Sequence, residues 1–110
     1  MTVRELARSL GLRVYTSQQT EDVEISGGYA GDLLSDVMAH ACEGCVWVTI
    51  QTHQNIVAVA VLSGIHAVVI CGGRVPDEDT LVKAEREKIA VLGSSESSYE
   101  TVGRIYGLLR

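Results

Sequence analysis

The sequence predicts an α/β fold: a small three-layer domain with a largely parallel sheet and helices on both faces. Helix-like and strand-like segments alternate along almost the whole chain, and several of the strand-like segments are apolar at every position. Alternation of this kind implies crossover connections between parallel strands, and strands buried on both faces have continuous apolar runs. At 110 residues, the chain fits one domain over 1–110 around a single core.

The first half of the chain contains two predicted helices and three predicted strands. Thr2 and Glu5 have the spacing of a capping box, and Gly11 is placed to end the helix that they begin. Asp32 is placed to cap the second helix, whose apolar residues recur at helical spacing. In chain order we expect a helix between 2 and 11, a strand over 13–16, a loop over 17–22, a strand over 23–25, a helix over 32–41 and a strand over 46–50.

The second half continues the alternation. The segment 55–62 is apolar throughout, so its periodicity does not decide its type, but its alanines and the following Gly64 favour a buried helix. The segment 67–71 is apolar and β-branched and ends in a glycine pair, which is typical of a central strand entering a tight turn. Ser97 and Glu100 form a second capping box. The remaining elements are a surface helix over 78–88 after Pro76 and Asp77, a strand over 89–92 and a terminal helix ending at Leu109.

Charge and hydropathy exclude several classes of partner. Lys and Arg total 9 against 14 Asp and Glu, the formal net charge is −5, and the basic residues are scattered. Neither nucleic acid nor an anionic membrane is therefore expected as a partner. The longest apolar run, 56–62, is far shorter than the about 20 residues of a membrane span, and the first residues lack the apolar stretch of a signal peptide. The sequence predicts a cytoplasmic protein.

The three cysteines are an odd number, which predicts free thiols in a reducing compartment. Cys42 and Cys45 form a C-x-x-C with His40 just upstream. Structural zinc takes four ligands, and a thioredoxin-like motif opens a helix, whereas this one closes a helix and leads into a strand. We interpret both cysteines as small apolar residues at a helix end. A metal-binding or redox protein that uses Cys42 and Cys45 remains the alternative function.

Binding residues are expected where open α/β sheets have their crevices, at the carboxyl ends of the strands. Gly72, Gly73 and Arg74 follow a buried strand, so their N–H groups and guanidinium are suited to an anion at the start of the next helix. The alternative is a glycine pair that only supplies a turn with positive φ. Neither this pair nor Gly27 and Gly28, interpreted as a flexible turn after the second strand, completes a glycine pattern that binds nucleotides.

A second candidate loop lies between the middle strand and the apolar helix. The segment 52–55 places four hydrogen-bonding side chains in one short connection. It is either a ligand-contacting loop or a segment in which Thr52 caps the helix while His53 and Gln54 face water. The candidate ligand-binding residues are therefore Gly27, Gly28, Thr52, His53, Gln54, Asn55, Gly72, Gly73 and Arg74.

Catalytic chemistry finds no support in the sequence. The predicted elements bring no Ser or Cys beside both a His and a carboxylate, so no nucleophile with its general base is indicated. We predict no catalytic residues, no cofactor and no resident metal. The protein is expected not to be an enzyme.

Four segments together resemble a known family, the DRTGG domain, whose fold is related to the amino-terminal domain of HPr kinase/phosphorylase. They are V-x-I-S-G-G-Y-A-G-D-L-L-S-D-V from Val23, W-V-T-I-Q-T-H-Q-N from Trp47, V-V-I-C-G-G-R-V-P-D from Val68 and I-A-V-L-G-S-S from Ile89. The resemblance implies an α/β regulatory or dimer-forming domain without catalytic residues. The chain is most similar to the stand-alone form of the domain, which implies a link to hydrogenase or other redox metabolism.

The chain departs from the family pattern in two of its loops. Where many members have G-D-R, this chain has Thr52, His53 and Gln54, and where they have T-G-G it has Cys71 before the glycine pair. Ligand contacts of those family residues cannot be transferred. The sequence thus predicts a non-catalytic regulatory or ligand-sensing module, expected to be a homodimer, that binds a small anionic metabolite, a nucleotide or a partner protein at its strand-end loops.

Overall fold

The computed structural model describes residues 1–110 and contains one sheet of five strands flanked by five α-helices. A short 3-10 helix, Gln18–Asp22, lies in the loop predicted over 17–22. In chain order the other elements are α1 (Val3–Leu10), β1 (Arg13–Val14), β2 (Gly27–Ala30), α2 (Leu34–His40), β3 (Cys45–Thr49), α3 (Asn55–Ser63), β4 (Ala67–Ile70), α4 (Glu78–Glu87), β5 (Ala90–Gly93) and α5 (Ser98–Leu109).

The sheet has the strand order β1-β5-β4-β3-β2. The pairs β2–β3, β3–β4 and β4–β5 are parallel, and β1 adds to β5 as an antiparallel edge strand. Each parallel pair is joined by one crossover helix, which follows the rule that links parallel strands to helices on the sheet faces. The predicted fold class, an α/β domain with a largely parallel sheet and helices on both faces, is confirmed.

Two apolar clusters fill the space on either side of the sheet. One face carries α1 and α5, whose Leu6 and Ile105 pack on Val46 and Val69. The other face carries α2, α3 and α4, and its largest side chain is the fully buried Trp47. Since side chains alternate across a strand, β3 and β4 supply both clusters and are buried at every position.

The prediction of a strand over 23–25 leading into a glycine turn is wrong. Residues 23–25 form an extended segment that bonds to the amino terminus, with the Ile25 N–H donating to the Met1 carbonyl at 2.8 Å. Gly27 and Gly28 are instead the first two residues of β2, where they pair with Cys45 and Val46 of β3. Strand pairing with a buried neighbour therefore overrides the local preference of a glycine pair for turns. Both glycines lie at the amino end of β2.

The amino-terminal helix begins with the predicted capping box. The Glu5 N–H donates to the Thr2 hydroxyl at 3.2 Å, and the Thr2 N–H donates to the Glu5 carboxylate at 2.9 Å. This N–H, followed by the Thr2 hydroxyl, lowers the pKa of Glu5 below its ordinary value of 4.5. No helix of the molecule is of sufficient length and apolar character to cross a membrane.

The Glu5 contact predicts a specific pH dependence of stability. Because the folded-state pKa is depressed, this contribution is fully present above the unfolded pKa and is lost as the pH falls through the folded value. The stability advantage of the wild type over Glu5→Gln, which does not titrate, should therefore shrink between about pH 7 and about pH 3 in urea unfolding. Glu87→Gln at an exposed helix end is the control, and an advantage that is the same at both pH values contradicts the prediction.

Candidate functional site

The carboxyl ends of the four parallel strands lie at one edge of the sheet, which we call the carboxyl edge. The loops that follow these strands are 31–33, 50–54, 71–77 and 94–97. They include six of the nine candidate binding residues, Thr52, His53, Gln54, Gly72, Gly73 and Arg74, and a seventh, Asn55, is the first residue of α3. Gly27 and Gly28 lie at the opposite end of β2 and do not belong to this edge.

Asp32 connects the first two loops of the carboxyl edge. Its carboxylate accepts hydrogen bonds from the Thr49 hydroxyl and from the Ile50 N–H, both at 2.9 Å. The backbone carbonyl of Asp32 accepts a further hydrogen bond from the side-chain amide of Gln51. Asp32 therefore does not cap α2: Leu33 occupies the N-cap position without a side-chain hydrogen bond. The cap prediction is wrong because contacts across the loops compete with the local one for the same carboxylate.

The Thr52 carbonyl holds the second loop against the start of α4. It accepts hydrogen bonds from the Asp77 N–H at 3.2 Å and from the buried Thr80 hydroxyl at 2.7 Å. Segment 52–55 is thus fastened to the start of α4, the helix that follows candidate segment 72–74. Thr80 was missed from the sequence, because a threonine in the first turn of a polar helix carries no signal of a distant partner.

The start of α3 has unused hydrogen-bond donors. Thr52 does not cap the helix, contrary to one of the two interpretations of the loop; instead the Asn55 N–H donates to the His53 Nδ1 at 3.1 Å. This contact makes Nδ1 an acceptor, so in the neutral ring the proton is on Nε2. The backbone N–H groups of Thr52, His53 and Gln54 donate to no protein acceptor.

The turn after β4 has the predicted positive φ values, 75° at Gly72 and 68° at Gly73. Their N–H groups donate to the Glu96 and Ser94 carbonyls at 2.8 and 2.9 Å. These two N–H groups are therefore not available to an anion, in contrast to the expectation from the sequence. The glycine pair instead fastens this turn to the loop that follows β5.

Arg74 is the free cation of the same turn. Its side chain is exposed, its Nη1 donates to the Cys71 carbonyl at 3.2 Å, and it belongs to none of the four ion pairs of the chain. The guanidinium folds back over Gly72, at a place that a Cβ on residue 72 would occupy. A glycine is therefore required at this position for the observed placement of Arg74.

Cys71, at the end of β4, is a buried free thiol. Burial raises the pKa of this thiol, and the hydroxyls of Thr101 and Ser98 act in the opposite direction. A thiol that is kept protonated and inaccessible is a poor nucleophile. Cys71 therefore serves as an apolar core residue.

The other two cysteines are joined in a disulfide, so the expectation of free thiols is wrong for Cys42 and Cys45. The local reason is their separation: a Cα–Cα distance of 5.4 Å lies in the range that disulfides require. No group of three or more His, Cys, Asp or Glu side chains able to hold a metal ion occurs in the structure. The metal alternative therefore lacks the ligand set of a zinc site.

A groove of about 300 Å³ lies between β2 and α5. We call it the β2–α5 groove. Gly27 and Gly28 line it on one side, and Tyr106 and Leu109 of α5 line it on the other. The candidate residues of the sequence thus divide between two places, the carboxyl edge and this groove.

The Asp32 contacts predict a loss of stability when the carboxylate is removed. Asp32→Ala leaves the Thr49 hydroxyl, on a residue only 1% exposed, and the Ile50 N–H without their acceptor. We expect the free energy of unfolding to fall by about 2 kcal/mol, since hydrogen bonds to charged groups contribute on the order of 1.5–3 kcal/mol. Urea unfolding measures this, and Asp79→Ala on the exposed start of α4 should cost less than about 1 kcal/mol. Equal losses in the two variants would contradict the assigned contacts.

Comparisons with known proteins place this geometry in a family. The family model of the DRTGG domain matches residues 5–108, and no curated protein matches the chain. A similar solved structure comprises the CBS and DRTGG domains of the regulatory region of Clostridium perfringens pyrophosphatase, complexed with the activator diadenosine tetraphosphate, with a TM-score of 0.70 at 13% identity. The likeness covers 94% of this chain and 45% of that one, so this chain spans less than half of its length. With nearly its whole length matched, the chain belongs to the DRTGG domain family.

Proposed function

We propose that this protein is a non-catalytic regulatory module that binds a small anion, a nucleotide or a phosphorylated metabolite, at the carboxyl edge. The observation that carries the proposal is a set of hydrogen-bond donors without acceptors on two loops that contact each other. These donors are the N–H groups of Thr52, His53 and Gln54 and the Nε and Nη2 groups of Arg74, whose Nη1 donates to the Cys71 carbonyl. The Thr52 carbonyl bonds hold the two loops together.

The chemistry of these donors suits a phosphate group. The amino terminus of a helix carries partial positive charge from its free N–H groups and its aligned peptide dipoles. Arg presents a planar fork of donors that matches phosphate oxygens. The His53 Nε2–H adds a further donor, because the Asn55 N–H occupies Nδ1. An anion would satisfy these donors, although the formal net charge of the whole chain is −5.

The absence of an activated nucleophile supports a binding function over catalysis. The Cys71 thiol is buried with a raised pKa, and the His53 Nδ1 is already engaged as an acceptor. Nucleophilic catalysis needs a side chain and a base within hydrogen-bond reach of each other, and neither residue supplies that pair.

The similar pyrophosphatase region offers independent support for a nucleotide. That structure was determined as a complex with diadenosine tetraphosphate, described there as an activator. By analogy, we propose that this chain signals ligand occupancy to a partner protein, in the cytoplasm and in connection with hydrogenase or other redox metabolism.

The proposal predicts that Arg74→Ala weakens anion binding. Isothermal titration of the full chain with ATP, diadenosine tetraphosphate and inorganic phosphate measures the affinity. We expect at least one of these probes to bind, and the substitution to weaken it about tenfold or more, because a charge-assisted hydrogen bond contributes on the order of 1.5–3 kcal/mol.

Arg86→Ala is the matched control, since Arg86 is exposed near the carboxyl end of α4, the helix that follows the Arg74 turn, and has no ion-pair partner. It should leave the affinity unchanged. The proposal fails if none of the three probes binds, or if both arginine variants weaken binding equally, because an equal effect indicates general charge attraction.

We further propose that the module is a homodimer that uses the β2–α5 groove. Strand β2 is an edge strand of the sheet, and exposed edge strands pair readily with another chain. The groove beside it is lined mostly by apolar residues. In a two-fold dimer the same patch faces itself, so one apolar surface suffices for both subunits.

The dimer proposal predicts that a charge placed in the groove produces monomers. Tyr106, which lines the groove, is 66% exposed, whereas Tyr99, which does not line it, is 88% exposed on the same helix. Light scattering should report a dimer for the wild type and for Tyr99→Glu, and a monomer for Tyr106→Glu. A monomeric wild type, or a dimer that survives Tyr106→Glu, contradicts this assignment.

A further inference from the structure

The Cys42–Cys45 disulfide lies at the amino edge of the sheet, away from the proposed anion site. Cys42 follows the end of α2, and Cys45 is the first residue of β3. The Cys42 N–H donates to the Cys45 sulfur at 3.2 Å. The bond closes a loop of only two intervening residues.

The two cysteine residues differ in exposure. The Cys42 residue is exposed, whereas Cys45 is only 1% exposed in the core of the sheet. Thiol–disulfide exchange requires a thiolate to reach one sulfur of the bond, and the leaving sulfur departs as a thiolate. An external thiol therefore attacks the Cys42 sulfur, and the Cys45 sulfur is the leaving group. The Cys45 sulfur accepts a hydrogen bond from the Cys42 N–H.

Backbone hydrogen bonds already hold the loop that the disulfide closes. The Gly44 N–H donates to the Gly64 carbonyl at 2.9 Å, and the Ser26 N–H donates to the Gly44 carbonyl at 3.0 Å. A disulfide stabilises mainly by closing long loops of the unfolded chain, and a short loop gains least. The loop is thus anchored independently of its disulfide, so the bond is able to open without loss of the fold.

We propose that Cys42 and Cys45 form a redox-active site that exchanges two electrons with a dithiol, either a small molecule or a protein. In the reduction, a thiolate of the dithiol attacks the Cys42 sulfur, the Cys42–Cys45 bond breaks, and its electron pair leaves on Cys45, which takes up a proton. The second thiolate of the dithiol then attacks the first sulfur of the same dithiol, which is bonded to Cys42 in the mixed disulfide. This step releases the Cys42 thiolate, which is also protonated. The protein gains two electrons and two protons, and the dithiol becomes a disulfide.

The local charges favour the disulfide over the dithiolate. The pair follows the carboxyl end of α2, where the helix dipole is negative, and Glu43 lies between the two cysteines. Reactive C-x-x-C pairs at helix amino termini have the opposite polarity, which stabilises a thiolate. This site should therefore require a dithiol, whose second thiol closes a ring, and should resist a monothiol such as glutathione at equal thiol concentration.

A redox titration of the full folded chain tests the proposal. The protein is equilibrated with defined ratios of dithiothreitol to its cyclic disulfide, alkylated and weighed by mass spectrometry. We expect two thiols to appear and disappear reversibly, with nearly the whole transition spanning roughly a hundredfold change in that ratio. Circular dichroism at both ends of the titration should report the same folded chain.

Three variants make the assignment specific. Cys45→Ala should form a mixed disulfide with oxidised glutathione through Cys42, on the order of tenfold faster or more than Cys42→Ser does through the buried Cys45. Cys71→Ser should titrate like the wild type, because that thiol is buried elsewhere in the core. If Cys45→Ala does not fold, the wild-type titration still decides whether the disulfide opens reversibly in the folded protein.

Three outcomes would overturn the proposal. The first is a bond that opens only in denaturant, which indicates a purely structural disulfide. The second is a pair of thiols that the cyclic disulfide never oxidises. The third is equal labelling of Cys42 and Cys45 in their folded variants. None of these outcomes depends on the anion site, since Arg74 lies at the opposite edge of the sheet and is present in every variant.

Discussion

The burial of β3 and β4 on both of their faces is the constraint on which the rest of the structure depends. Every residue of these two strands is buried, and each strand has a parallel neighbour on both sides. Parallel strands need crossover connections, and the crossover helices cover the sheet faces. The same constraint brings the loops after all four parallel strands to one edge, where α/β proteins place their ligands.

At that edge, the hydrogen bonds that fasten the loops use mainly carbonyl and carboxylate acceptors. Asp32 accepts from the end of β3, and the Thr52 carbonyl accepts from α4. The Trp47 indole also donates to the Gly31 carbonyl at 2.8 Å, which ties the largest core side chain to the end of β2. The backbone N–H groups of Thr52, His53 and Gln54 and the Nε and Nη2 groups of Arg74 donate to no acceptor in the protein. These donors are the physical basis of the proposed anion site.

The sequence alone predicts those features that residues close together in the chain determine. The Thr2–Glu5 capping box, the continuous apolar strands and the glycine pair at 72–73 each have a short-range signal, and the structure has the expected α1, β4 and turn. Of the second predicted box, only the Glu100 N–H bond to the Ser97 hydroxyl is formed. Gly27 and Gly28 were misassigned because pairing with β3 determines their conformation, and no neighbouring residue encodes that pairing. The contacts of Asp32 and the Cys42–Cys45 disulfide depend likewise on distances set by the folded chain.

The most direct test of the anion site is a map of backbone amide shifts by nuclear magnetic resonance as ATP, diadenosine tetraphosphate or phosphate is added to the labelled protein. We expect the largest changes on the N–H groups of Thr52, His53 and Gln54, which have no acceptor in the free protein. The amides of Gly72 and Gly73, already bonded to carbonyls, should change less. Shifts confined to Gly27, Gly28 and α5, or no shifts with any of the three ligands, would contradict an anion site at the carboxyl edge.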